Sequence, residues 1–226
     1  MIAFDRVEAG RTVAPAKREG VVFVVDADVA ARNAVKRIIE RANWRVEAFA
    51  TAEDFLRQPC ADAPGCLILD LDLPGMSGLD LQRKARDAGR DLPAIFVTNH
   101  VDTPVIVRAM RAGAVDVLTK PLDDDELLSA VRQAVEQSAA TRQHALEMAA
   151  LRRCHISLTP RQREVMNLVV MGRLNKQVAG ELGTSEKTVK LHRSEAMRKM
   201  KADSLAELVV MSIRLGLPRD GRRAPL

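Results

Sequence analysis

The chain has 226 residues, 47% of them hydrophobic but only 3% aromatic, with one Trp and no Tyr, so its core must be aliphatic. That length allows one or two domains and needs no disulfide or metal staple, and three cysteines in no metal-ligand pattern read as reduced thiols of a cytoplasmic protein. The net charge of +5 is unevenly spread: residues 20–140 carry 14 Lys/Arg against 19 Asp/Glu, and residues 156–226 carry 14 against 7, which points to two domains with different partners.

Residues 1–19 show no periodic pattern and no apolar signal region, and are expected to be a disordered extension. No run along the chain is apolar and long enough for a membrane span. Val21–Val25 is a continuous apolar run, and 66–69 and 94–97 are nearly so. Strands apolar at every position are covered on both faces, as in parallel sheets. Residues 46–49 and 115–118 are weaker strand candidates. Helical patterns over 29–42, 52–57, 78–88 and 103–112 alternate with them. The alternation predicts an α/β doubly wound, five-stranded parallel sheet over 20–140.

Asp123 opens a longer helix, with Glu126 at capping-box spacing and Asp124 and Asp125 suited to the positive end of the dipole. No Gly or Pro interrupts 122–158, so the helix is expected to reach about Arg153, with 141–155 a helical linker or dimer seam. Thr159-Pro160 restarts helical structure, Gln162 completing a box. Four helices follow near 160–171, 175–182, 185–200 and 204–215, making an all-α domain over 156–217. Ser185 and Ser204 are caps, Glu207 stands at box spacing from Ser204, and Gly216 and Pro218 end the last helix. The turn Leu182-Gly-Thr-Ser185 between two helices is the sequence form of a helix-turn-helix. Residues 218–226 form a basic tail.

In a doubly wound sheet, ligands collect at the carboxyl ends of the strands. Those ends offer Asp26, Asp70 followed by Asp72, Thr98, and Thr119-Lys120-Pro121. A carboxylate can accept a phosphoryl group, hard oxygens suit Mg²⁺, and a Lys can neutralise the transferring charge. A single Asp at a strand end is ordinarily a cap or turn former, which is the plain reading of Asp28, and the side chain of Asp72 can simply be solvated. Five converging positions are not explained that way.

With Asp70-Leu-Asp-Leu-Pro74-Gly-Met-Ser-Gly78 among them, these residues resemble the receiver domain of two-component response regulators. The resemblance implies a flavodoxin-like 2-1-3-4-5 strand order and Asp70 as phosphoacceptor for a sensor histidine kinase. It implies Mg²⁺ held by Asp26, Asp70 and the backbone carbonyl of Asp72. It places phosphoryl oxygens on Thr98 and Lys120 and a cis bond before Pro121. Four positions depart from the family pattern: Ala27 replaces a second acid, Val117 the switch aromatic, Leu122 a Phe, and Asn99 a small residue. Losing a carboxylate weakens Mg²⁺ binding. The departures keep open an atypical receiver that regulates transcription independently of phosphorylation. An aspartate-dependent phosphatase, with Asp72 as second acid, is a further alternative, but it leaves the C-terminal helices unexplained. The expectation is a regulator, not an enzyme.

The stretches Leu158-Thr-Pro-Arg-Gln-Arg-Glu-Val, Gly172-Arg-Leu-Asn-Lys176 and Ser185-Glu-Lys-Thr-Val-Lys-Leu-His192 resemble a LuxR-type helix-turn-helix, and residues 199–208 narrow it to the FixJ branch. A helix from 185 turns Val189, His192, Ala196 and Met200 inward, and Lys187, Lys190, Leu191, Ser194 and Arg198 largely outward. The resemblance implies Lys190, Leu191 and Ser194 at base edges of double-stranded DNA, and Lys176, Ser185, Lys187, Thr188 and Arg193 at phosphates. The plain alternative is a solvated surface. The last helix carries Leu205, Leu208, Val209, Ile213 and Leu215, more than one small core needs; the first three are assigned to the core. The resemblance makes this a homodimer helix matched to a palindromic promoter. Met166, Met171 and Met211 read as core filling, His192 as a packed histidine, and Trp44 as packing between a helix end and strand 2. Cys60, Cys66 and Cys154 read as ordinary thiols, with Cys154 the one to test for intermolecular oxidation, and His100 as an exposed loop residue beside the acidic pocket.

Overall fold

The computed structural model describes residues 18–59, 62–99 and 102–217. The N-terminal extension through residue 17, the basic tail from 218, Cys60 and His100 lie outside the described residues. The chain divides into two compact units, Met1–Arg142 and Gln143–Leu226.

Strands β1 (Val21–Val25), β2 (Arg45–Phe49), β3 (Gly65–Asp70), β4 (Ala94–Thr98) and β5 (Ala114–Thr119) build the first unit. They alternate with α1 (Val29–Arg41), α2 (Ala52–Arg57), α3 (Gly78–Asp87) and α4 (Thr103–Arg111), and α5 (Asp124–Ile156) follows. All pairings are parallel, in the order β2-β1-β3-β4-β5. The three inner strands are buried at every residue, which is why their sequences are almost unbrokenly apolar. Their alternating side chains feed two cores. Phe23, Leu67, Leu69 and Phe96 meet Phe55 of α2, Leu81 of α3 and Ala109 of α4. Val22, Val24, Ile68 and Ile95 meet Ile39 of α1 and Leu127 and Val131 of α5. Trp44 borders the second core, with the Arg18 guanidinium 5.4 Å from its ring centre. Burial pushes the Cys66 thiol up to about 12.

The edge strands β2 and β5 are only partly covered, and each starts one residue earlier than its apolar pattern suggests. Asp28 ends the β1–α1 loop by capping α1, its carboxylate accepting from the N–H groups of Ala30 and Ala31 at 2.7 and 3.2 Å. Arg90, before β4, donates to the carbonyls of Phe55, Leu56 and Gln58, closing the end of α2.

The second unit holds the last turns of α5, then α6 (Pro160–Val170), α7 (Asn175–Glu181), α8 (Glu186–Met200) and α9 (Leu205–Arg214). The Thr159/Gln162 capping box is complete. That of Ser204 is not: Ser204 accepts from Glu207 N–H, but the Glu207 carboxylate accepts from Asp203 N–H instead. Residues 143–156 are not a free linker. Leu151 is buried among Met166, Ala196, Met200 and Leu208, with Met148 and Cys154 packed against the same core, and Glu147 pairs with Arg214 at 3.0 Å.

On α9 the inward stripe is Leu208, Met211, Ser212 and Leu215. This corrects the assignment of Leu205 and Val209 to the core. Leu205 sits about 60° from Leu208 around the helix, at the margin, and Val209 about 100° away, beyond it. Leu205 is exposed, like Val210 and Ile213, and Val209 is half-buried. Met166 is buried and Met171 and Met211 pack against the cores as fillers. His192 is half-buried.

Candidate functional site

Asp26 directly follows β1, Asp70 ends the neighbouring β3, and Lys120 follows β5. The topology therefore brings together residues 94 positions apart. Lys120 N–H donates to the Thr98 carbonyl at 2.8 Å, and the Lys120–Pro121 bond is cis. The ammonium of Lys120 then lies 2.8 Å from Oδ2 of both Asp26 and Asp70. Asp26, Asp70 and Thr98 are 3%, 6% and 3% exposed. The other carboxylate oxygens face the loops. Asp26 Oδ1 accepts from Asp28 N–H at 2.8 Å, and Asp70 Oδ1 from Asp72 N–H at 3.0 Å. Burial pushes the Lys120 ammonium down, but the hydrogen bonds and charges of Asp26 and Asp70 outweigh it and hold the group above the ordinary lysine range.

Two further residues support this pocket: Arg32, outside every motif, and Gly78, the last residue of the Asp70–Gly78 motif. Arg32 of α1 donates from Nη1 to the carbonyls of Asp26 at 2.6 Å and Ala27 at 3.3 Å, pinning the loop. Gly78 opens α3 against β3, where a Cβ would stand 2.4 Å from the Asp70 carbonyl, so no other residue fits without a shift. Asp72 is exposed, so its side chain stays out of the pocket and only its backbone borders it. Asp28 is the α1 cap, and the N–H bonds of Ala31 and Ala30 hold its carboxyl below the usual carboxylate range. Val117 and Ala27 are half-buried.

The pocket carries two carboxylates against one ammonium. Among the described residues, no three Asp, Glu, His or Cys side chains gather as a metal site. The residues present still fit Mg²⁺. Two buried carboxylates converge on one point, and this ion is commonly held by one or two carboxylates plus waters and phosphate oxygens.

The second site lies on α8. Val189, Ala196 and Met200 are buried, whereas Lys187, Lys190, Leu191 and Ser194 are exposed. Leu191, at 61%, is a large apolar side chain left in water among polar neighbours. Ser185 caps α8, accepting from Thr188 N–H at 3.1 Å. Lys176 is exposed on α7, and among the described residues no acid lies within ion-pair reach of Lys176, Lys187 or Lys190. Arg198 is neutralised by Glu195 at 2.7 Å. Arg193 is half-buried and donates to Asn175 Oδ1 at 3.2 Å, so it faces α7. A shallow cleft of about 430 Å³ is lined by Asn175, Lys190, Arg193, Ser194 and Met197.

Both units match known protein families. Residues 22–132 match the family model of the response regulator receiver domain, and residues 156–212 that of bacterial regulatory proteins of the luxR family. Nodulation protein W of Bradyrhizobium diazoefficiens is 43% identical over 215 residues, covering 95% of this chain and 94% of that one. The transcriptional regulatory protein FixJ of the same organism is 34% identical, covering 89% of this chain and 98% of its own. The solved structure of the response regulator StyR is 40% identical with a TM-score of 0.79, over 87% of this chain and all of that one.

Proposed function

Since this chain belongs to the DNA-binding, luxR-family response regulators, we propose that phosphoryl transfer from a sensor histidine kinase to Asp70 controls its action on a promoter. The observation that carries this reading is the Lys120 ammonium, 2.8 Å from each of two buried carboxylates.

An oxygen of Asp70 attacks phosphorus as the P–N bond of the donor phosphohistidine breaks, and the bond's electron pair leaves with a neutral imidazole that keeps the proton already on its other ring nitrogen. Asp26, Asp70 and the carbonyl of Asp72 would hold Mg²⁺, which supplies charge neutralisation on the transferring group. Lys120 and the Thr98 hydroxyl would take phosphoryl oxygens, and Pro121 fixes the turn that presents Lys120. The product carries more negative charge than the carboxylate, and that change biases the receiver between two states.

In the second unit, Lys190, Leu191 and Ser194 would meet base edges, and Lys176, Ser185, Lys187 and Thr188 phosphates. Leu205, Val210 and Ile213 form the apolar face offered to a second copy, as palindromic half-sites require. One observation favours a phosphorylation-independent regulator instead: Ala27 and Val117 leave a pocket with two carboxylates and no aromatic at the switch position.

The test is incubation with Mg²⁺ and acetyl phosphate, beside Asp70→Asn, read by intact mass. A phosphoryl adduct on the wild type alone is expected. A folded wild type with no adduct, even from a cognate kinase, moves the phosphorylation-independent reading into first place.

A further inference from the structure

On the DNA-binding reading, α8 enters the groove at an angle set by α7, which packs against it, and α7 is weak by itself. It has seven residues, and Leu174 at its N-cap supplies no side-chain acceptor. Helices of that length are marginal alone in water. Val178 and Ala179 anchor its buried face. Its two ends are held by arginines from neighbouring helices.

Arg161 of α6 donates to the carbonyl of Leu182, the C-cap of α7. That carbonyl has no donor within the helix, and a cation there also meets the negative end of the dipole. At the other end, Arg193 of α8 donates to Asn175 Oδ1, on the first residue of α7. There the dipole disfavours a cation, so the pairing rests on the Asn175 amide itself.

We infer that Arg161 and Arg193 are positioning residues of the helix-turn-helix, and that Arg193 acts on DNA through Asn175 rather than by neutralising a phosphate. The inference rests on the DNA-binding reading above. Phosphate neutralisation then falls to Lys176 and Lys187, which are exposed and have no acidic partner among the described residues.

The test uses the full-length protein, with and without Mg²⁺ and acetyl phosphate, and two duplexes of about 30 base pairs, long enough for two half-sites one turn apart. One is enriched by the protein from a random pool, and the other is a scramble of the same composition. Affinity for both is measured across a salt series for the wild type, Arg193→Gln, Asn175→Ala, the double variant and Arg161→Gln. A lost phosphate contact weakens both duplexes alike and lowers the salt slope by about 0.9. A positioning role predicts otherwise. Each single variant lowers the enriched-to-scrambled ratio about tenfold, the worth of one base contact, at unchanged slope. The double variant is no worse than either single one of the pair. Asn175→Ala is the sharpest arm, because it leaves every charge in place. A folded Asn175→Ala with an unchanged ratio overturns the inference, as does a slope lowered by Arg193→Gln. A wild type that enriches no duplex brings down the DNA-binding reading itself, and this inference with it.

Discussion

Ala27 stands at the rim of the acidic pocket, inside the turn that Asp26 closes by accepting from Asp28 N–H. Replacing it with Asp adds a third carboxylate beside Asp26 and Asp70. Position 27 is half-buried, so the added charge acts through a largely aqueous medium. For a divalent cation about 5 Å away at a dielectric of about 80, the attraction is about 1.7 kcal/mol, or nearly 20-fold in affinity. A lower local dielectric enlarges that figure, and the nearby Arg32 guanidinium on the Ala27 carbonyl reduces it. Calorimetric titration of the full chain with MgCl₂ at fixed ionic strength measures it directly, with no phosphodonor present. Ala27→Asn is the control, since it has the same shape without the charge. Ala27→Asp should bind Mg²⁺ at least tenfold more tightly than wild type, and Ala27→Asn within about twofold of it. Equal affinities for the Asp and Asn variants would refute the view that a carboxylate deficit limits this site.

Gly78→Ala forces a Cβ to within 2.4 Å of the Asp70 carbonyl, so β3 or α3 must shift; a stability loss of about 1–3 kcal/mol in urea, with slower phosphoryl uptake, is expected. Leu174→Ser gives α7 the side-chain acceptor its N-cap lacks and should stabilise the second unit by about 1 kcal/mol, read as a higher unfolding midpoint. Cys66, its thiol pushed up to about 12 by burial, should resist iodoacetamide in the folded protein at a pH near 8 and react once urea is added. His155 is held below the ordinary histidine range by burial and by Arg163, and its Nε2 is buried without a partner. The unfolded chain therefore binds its proton first, and stability should drop as pH falls through about 6.5 toward the lower folded value; His155→Gln should flatten that part of the urea-midpoint profile, and an unchanged profile would count against the assignment.

The inner strands were legible because burial on both faces demands apolar residues throughout, and no helix of the same length competes with such a run. The edge strands were less so: Arg45 and Thr119 belong to β2 and β5 because they pair, although exposure makes them look like loop. The acidic pocket was legible because strand ends fix where Asp26, Asp70, Thr98 and Lys120 must meet. Arg32 and Arg90 were not, since both act on backbone carbonyls, and an acceptor present at every residue leaves no mark in the side-chain pattern. The same limit hid the partner of Arg193. Residue type marked it as a cation free to meet phosphate, whereas the fold puts Asn175 in front of it. Along α5, the cap at Asp123 and the absence of Gly and Pro showed a helix but not its neighbours, and they do not distinguish Leu146, which is exposed, from Leu151, which is buried.

The geometry also says where a charge added at Asp70 must be felt. Lys120 serves two carboxylates at equal distance, and that symmetry survives only while they carry equal charge. A phosphoryl group on Asp70 concentrates negative charge on one side, and the ammonium follows it away from Asp26. Lys120 sits at the end of β5 and is tied by its N–H to the end of β4, so the displacement loads those two strand ends. They differ in how firmly they are held. Strand β4 is buried along its whole length, whereas β5 is an edge strand with one fully buried residue, Leu118. Local motion is drawn from the less buried element. Strand β5, and α4 packed beside it with Val107 and Met110 exposed, are therefore where the receiver should change when the pocket is charged. Hydrogen exchange compared with and without phosphodonor should show its largest change there, and a change confined to β1 and β3 would contradict this route.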